Sequence, residues 1–76
     1  MSVAQRKFFT EVSALADRHV VVGMMTGKTF RGTLIGINPD TLSLCLSEAK
    51  DDEGRVFHRV ILNGSVVAQI LSVEKP

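Results

Sequence analysis

The residues of this 76-residue chain that could carry covalent or metal chemistry are few: one cysteine, Cys45, and two histidines, His19 and His58. A structural zinc is held by four ligands of the Cys or His type, so Cys45 with His58 is too small a set. No Ser, Cys or carboxylate stands at a spacing from either histidine that suggests a nucleophile with its base or a triad. Both histidines are expected to be structural, and Cys45, alternating outward between Ser43 and Ser47 with no base nearby in sequence, is not expected to be a nucleophile. The pattern points away from an enzyme, and no cofactor is expected. A single cysteine cannot form an intrachain disulfide and fits a reducing setting. No apolar run approaches the roughly 20 residues needed to cross a bilayer, and the N-terminus lacks the apolar core of a signal peptide. A cytoplasmic protein without a membrane partner is expected.

The charged residues could do binding chemistry instead. Net charge is only +1, so bulk electrostatics argue neither for nor against a polyanionic partner. Arg6 and Lys7 lie close together near the N-terminus, Lys28 and Arg31 flank a turn, and Glu48 to Gly54 is a mostly acidic run. The plainest reading of each is a solvated surface. Lys28 and Arg31 are expected to be ordinary surface residues or partners of the acidic loop.

These side chains must be positioned by short elements. Ser2 can cap a helix, with Gln5 three residues later as in a capping box, and Phe8, Phe9, Val12, Leu15 and Ala16 recur at helical spacing. The pattern predicts one amphipathic helix over about 3–17. His19 to Met25 is β-branched and apolar, and Thr26-Gly27-Lys28 supplies turn chemistry. The second strand, Thr29 to Ile37, would place Phe30, Gly32, Leu34 and Gly36 on one face, with Ile35 and Ile37 on the other. Glycine inside a strand marks a bulge, bend or close backbone approach, so this strand is expected to fold over on itself. Asn38-Pro39-Asp40 breaks the pairing. Thr41 to Ser47 alternates, with Leu42, Leu44 and Leu46 inward, and residues 48–54 read as a loop. Arg55 to Leu62 is a fourth strand, Asn63-Gly64 is a strong two-residue hairpin signal, and Ser65 to Val73 is the fifth. The fold class is therefore mainly β: an N-terminal α-helix followed by a five-stranded, strongly bent antiparallel sheet, one domain over residues 1–76 with the barrel at about 19–73.

Size adds a further expectation. A domain this short buries only about 60% of the surface that its unfolded chain exposes, yet 45% of its residues are hydrophobic. Val60-Ile61-Leu62 and Val66-Val67-Ala68 are apolar on both faces, which an open edge strand tolerates poorly. Burial by a neighbouring copy of the chain is expected.

Helix, five strands and a bent second strand together resemble the Sm fold, an SH3-like small open barrel. The first family motif resembles Val20-x-Val22-x-Met24 followed by Thr26-Gly27-Lys28-x-Phe30-x-Gly32-x-Leu34-x-Gly36, and the second resembles Ile61-Leu62-Asn63-Gly64-Ser65-Val66-Val67-Ala68-Gln69-Ile70. The pair spans residues 3 to about 73 and is most similar to archaeal homo-oligomeric Sm-like proteins. The resemblance implies a ring, with a heptamer favoured and a hexamer possible, in which the fourth strand of one subunit pairs with the fifth of the next. It implies single-stranded, U-rich RNA as partner, together with RNA-processing proteins.

In the family, one base is held between the loop after the second strand and an Arg before the last strand, and an Asn reads the uracil edge. Carried over, the positions are Asn38, Asp40, Thr41 and Ser43 on one side and Asn63 and Gly64 on the other. Ser43 stands where the family has its Asn, Asn63 where it has its Arg, and the loop is one residue longer. Ser lacks a two-pronged amide, and Asn lacks the planar cation, so base preference is expected to be weakened or altered. Arg6 and Lys7, on helices that decorate one face of such rings, would form a basic crown for phosphates. The resulting expectation is a homo-oligomeric RNA-binding ring active in RNA processing, turnover or chaperoning. The alternative is an adaptor ring with a degenerate uridine pocket, acting through protein contacts.

Overall fold

A computed structural model of the chain describes residues 3–73. Helix α1 (Val3–Ser13) precedes β1 (His19–Met24), β2 (Thr29–Asn38), β3 (Ser43–Asp51), β4 (Val56–Asn63), the 3-10 turn η1 (Gly64–Val66) and β5 (Val67–Ser72). The strands form one antiparallel sheet in the order β4-β3-β2-β1-β5. This is the expected fold class, and the sheet is open: β4 and β5 are its two edges and do not pair with each other.

The core explains why these segments are strands. Val20, Val22, Leu34, Leu44 and Leu46 are buried almost completely, with Ala49, Leu62 and the helix residue Val12 around them. Burying each large aliphatic side chain contributes about 2 kcal/mol. The helix lies over this cluster through Val12, with Phe8 and Leu15 packed beside it. It stops at Ser13 rather than continuing to 17. The segment after it tightens into i to i−3 bonds, Leu15 N–H to Val12 O and Ala16 N–H to Ser13 O. Asp17 then turns left-handed, at φ 64. Its N–H donates to the Leu34 carbonyl at 2.7 Å, while Leu34 N–H donates to Arg18 O: the sheet captures the backbone before another helical turn can form. Ala16 is consequently exposed. The Ser2–Gln5 capping box lies outside the described residues.

Two bulges bend the sheet and alter the predicted alternation. The register of β2 against β3 shifts between Arg31 and Thr33, where β3 carries an extra residue, and again between Leu34 and Gly36, where β2 does. The first shift coincides with Glu48 in a left-handed conformation, φ 49. Gly32 makes the approach of β3 possible there. A Cβ on it would stand 2.9 Å from Ser47 O and 3.1 Å from Ala49 Cα. The second shift places Ile35 outward, 38% exposed. Ile37 then faces Leu44 across the ladder and packs against the core, and Gly36 pairs with Cys45 on the opposite face. The strict alternation expected for Gly36 and Ile37 is thus reversed by one inserted residue.

Residues 48–51 are strand rather than loop, and only 52–55 turn. Asp51 holds that turn together. Its buried carboxylate accepts from Glu53 N (3.0 Å), Arg55 N (2.9 Å) and Arg55 Nε (2.9 Å). Burial alone would raise its pKa, but the hydrogen bonds from Arg55 and Glu53 and the Arg55 charge outweigh it and hold the carboxyl below its ordinary value.

Asn63-Gly64 is not a two-residue hairpin. Asn63 has φ −81, outside the positive range that a type I′ turn requires at both central residues. The chain instead crosses through η1 to the far edge, and β5 pairs with β1.

Candidate nucleic-acid interface

The loops after β2 and β4 meet at one end of the sheet. Asn38 is the register partner of Ser43, and Ser43 is the partner of Asn63. A single cross-strand row therefore runs Asn38–Ser43–Asn63 over three adjacent strands. Facing side chains in such a row are close enough to interact.

Local bonds orient each member. The Asn38 Oδ1 accepts from Asp40 N at 2.9 Å and from Thr41 N at 3.4 Å, an Asx turn that shapes the Pro39-Asp40 corner. The Asn63 Oδ1 accepts from Ser65 N (3.0 Å) and Ser65 Oγ (2.8 Å), capping η1. A backbone N–H only donates, so in both residues the oxygen is fixed inward and the amide NH2 faces outward as a donor pair. Thr41 Oγ1 and Ser43 Oγ share a hydrogen bond of 2.7 Å in which either can donate. The row thus presents two amide donors flanking a hydroxyl pair that both donates and accepts. That is the complement of a nucleobase edge carrying carbonyl oxygens and an N–H.

Leu42 joins the two loops. Its backbone is left-handed, φ 58, a conformation costing on the order of 1–2 kcal/mol outside glycine, and its carbonyl accepts the Gly64 N–H at 2.7 Å. Gly64 fits because a Cβ there would overlap the Leu42 carbonyl oxygen and come within 3.2 Å of Phe8. Sequence reading placed Leu42 inward on a strand and found no joint here. A left-handed leucine leaves no trace in composition or periodicity. Ser65, whose backbone N–H and hydroxyl both bond Asn63, was likewise missed.

The structure brings together Asn38, Asp40, Thr41, Ser43, Asn63 and Gly64. It leaves Arg6 and Lys7 apart, exposed on α1 where they line a shallow depression with Thr10 and Glu11. A second depression of about 350 Å³ is lined by Asn38 and Ser43 of the polar row and extends from them to Gly36, Cys45 and Ile61. Ile61 is 75% exposed, so one wall of this depression is an apolar side chain open to solvent. Lys28 stands 5.5 Å over the Phe30 ring, and His58 Nδ1 meets Glu48 Oε1 at 2.9 Å on the surface. Among the described residues no cluster of three or more His, Cys, Asp or Glu side chains could hold a metal, and no helix is long and apolar enough to cross a membrane.

No family model and no curated protein matches the chain. Solved structures do. A novel Sm-like archaeal protein from Pyrobaculum aerophilum superposes with a TM-score of 0.77 at 27% identity, over 87% of this chain and 51% of that one. The chain therefore spans about half the length of that relative. The Pyrococcus abyssii Sm protein, solved in complex with a uridine heptamer, gives 0.74 at 25% identity over 86% and 96%. The Methanococcus vannielii SmAP (LSm) protein gives 0.73 at 21% identity over 83% and 90%, a likeness of fold.

Proposed function

We propose that this Sm-like chain is a subunit of a cytoplasmic homo-oligomeric ring that binds single-stranded RNA at the Asn38–Ser43–Asn63 row, and that it acts in RNA processing, turnover or chaperoning rather than in catalysis. The observation that carries the reading is the row itself: three polar residues from two loops far apart in sequence, aligned across adjacent strands. Thr41 belongs to the same site through its bond to Ser43. Asp40 and Gly64 shape it, and Arg6 and Lys7 supply phosphate attraction from the helix face. The uridine heptamer bound by the Pyrococcus protein supports U-rich RNA as the ligand class.

The ring is supported by the sheet's two open edges. β4 exposes Val56, Phe57 and Ile61, and β5 exposes Leu71 beside Val66 and Val73. Two unpaired antiparallel edges on one subunit, both lined with apolar side chains, form a heterologous pair of surfaces that closes into a ring when the rotation allows. A heptamer is the favoured size.

One observation favours the adaptor alternative. Both amide oxygens of the row are occupied by local turns, and neither the family's Arg nor its Asn is present. A pocket with donors but no cation would bind weakly, leaving protein contacts as the ring's main work.

Two measurements on the purified chain decide between these. Solution mass should correspond to six to eight subunits, as implied by the family resemblance; a monomer overturns the ring. Fluorescence anisotropy should show U-rich RNA bound more tightly than A-rich RNA, with Asn63→Ala weakening the U-rich complex. Absence of salt-sensitive binding to either RNA moves the assignment to the adaptor.

A further inference from the structure

Arg31, Lys50 and Arg59 lie on three successive strands, β2, β3 and β4, and all three are exposed. Arg31 stands directly opposite Lys50, and Thr33, Ser47 and Arg59 form the adjoining cross-strand row. This is the face turned away from the core, because Gly32, Leu34, Leu46 and Ala49 between them are buried. Among the described residues the ion pairs join Arg55 to Asp51 and Glu53, and His58 to Glu48. None engages these three cations: Asp51 and Glu48 are held by Arg55 and His58, and Asp52, exposed in the turn after β3, pairs with none of them. Of the two roles expected for Arg31, ordinary surface residue or partner of the acidic loop, the ion pairs leave the first, and Arg55 is the partner of the acidic turn.

Like charges directly opposite in a sheet are destabilising, and a chain that breaks such a local rule commonly does so where a ligand compensates. The patch is open, with the hydroxyls of Thr33 and Ser47 between the cations, and the one carboxylate within it, Glu48, is held by His58. Such a surface suits an extended chain of phosphates better than a small molecule. It is also continuous with the polar row. On β4, Asn63, Ile61 and Arg59 succeed one another along one face, and on β3 so do Ser43, Cys45 and Ser47. Four steps along the strand lead from Asn63 to Arg59, about 13 Å at roughly 3.3 Å per residue. The shallow depression at Gly36, Cys45 and Ile61 lies between them.

We propose that Arg31, Lys50 and Arg59 form a phosphate track that receives single-stranded RNA leaving the Asn38–Ser43–Asn63 row and carries it along the outer face of the sheet. The proposal rests on the reading of that row as the base site, and its test separates the two. The intact protein and its Arg31→Gln/Lys50→Gln/Arg59→Gln variant are titrated by anisotropy with a uridine heptamer and with a U-rich RNA several times longer, over a range of salt.

The expected result is a heptamer affinity within about twofold of the parent, and a long-RNA affinity reduced tenfold or more. The log-affinity against log-salt slope should be shallower by about 2, since each single-strand phosphate contact contributes about 0.7. Unchanged long-RNA affinity and slope overturn the track. A parent that binds long RNA but not the heptamer, with binding abolished in the variant, overturns the base site and leaves the track standing. An Arg31→Lys/Arg59→Lys variant controls for folding: it should bind long RNA like the parent, and a loss equal to that of the Gln variant would refute an electrostatic contact.

Discussion

Ser43 and Asn63 face each other directly across β3 and β4, although twenty positions separate them in the chain. One brings a hydroxyl already bonded to Thr41, the other an amide whose oxygen is bonded to Ser65 and whose NH2 points outward. This pairing defines the proposed base site and makes it divisible by mutation.

Asn63 has two roles that different substitutions separate. Asn63→Ala removes the cap of η1 and should cost about 1 kcal/mol of stability, the usual worth of a cap, besides weakening RNA. Asn63→Asp keeps the capping oxygen, removes the amide donors and adds a negative charge. Its urea midpoint should stay near the parent's while U-rich RNA affinity falls tenfold or more. Equal RNA affinity in the Asp variant and the parent would show that the amide donors do not touch RNA.

Ser43→Asn should raise the preference for U-rich over A-rich RNA. A third amide, in the centre of the row, can donate and accept at once, which a single hydroxyl cannot do with the same geometry. A several-fold gain in the ratio of affinities, read by competition anisotropy, is the expected outcome. An unchanged ratio would mean that this position does not read the base.

Gly64→Ala should destabilise the chain by on the order of 2 kcal/mol, the scale of overpacking a tight site. The new methyl meets the Leu42 carbonyl, which is backbone and cannot rotate aside. Thermal unfolding measures the effect, and the same change at Gly27, which has nothing within 4 Å of its Cβ position but a positive φ, gives a comparison for backbone strain alone.

Asp51 makes stability acid-sensitive in a defined direction. Its pKa is lower in the folded chain than the ordinary 3.8, so the folded state favours the charged form. The contribution is fully present above the ordinary value and is lost as pH falls through the lower folded one. Chemical unfolding at neutral pH and near pH 3 should show a loss for the parent, and a smaller loss for Asp51→Asn, which has no charge to neutralise. Identical acid losses in both would exclude Asp51 as a source.

Local chemistry decided much of this protein before any tertiary contact. The alternation of Val20 with Val22 and of Leu44 with Leu46 marks strands because side chains on a strand repeat every second residue, and the spacing of Phe8, Val12 and Leu15 marks a helix for the matching reason. The turn at Thr26-Gly27-Lys28 is equally local and appears where the sequence places it, while the break expected from Asn38 begins one residue later, at Pro39, because Asn38 still pairs with Ser43. The polar candidates at Asn38, Thr41, Ser43 and Asn63 were visible as residue types. Tertiary structure alone decided what depends on one strand's position against another. The bulges at Ile35 and Glu48 reverse the facing of Gly36 and Ile37 and extend β3 to Asp51, because register belongs to a pair of strands and not to either one. Asn63-Gly64 reads as a hairpin from its two residues. It becomes a crossover because Gly64 hydrogen-bonds to Leu42 and β5 finds its partner in β1. The outward group of Arg31, Lys50 and Arg59 has the same origin: the three residues are scattered in sequence, and only the sheet brings them into two adjoining rows.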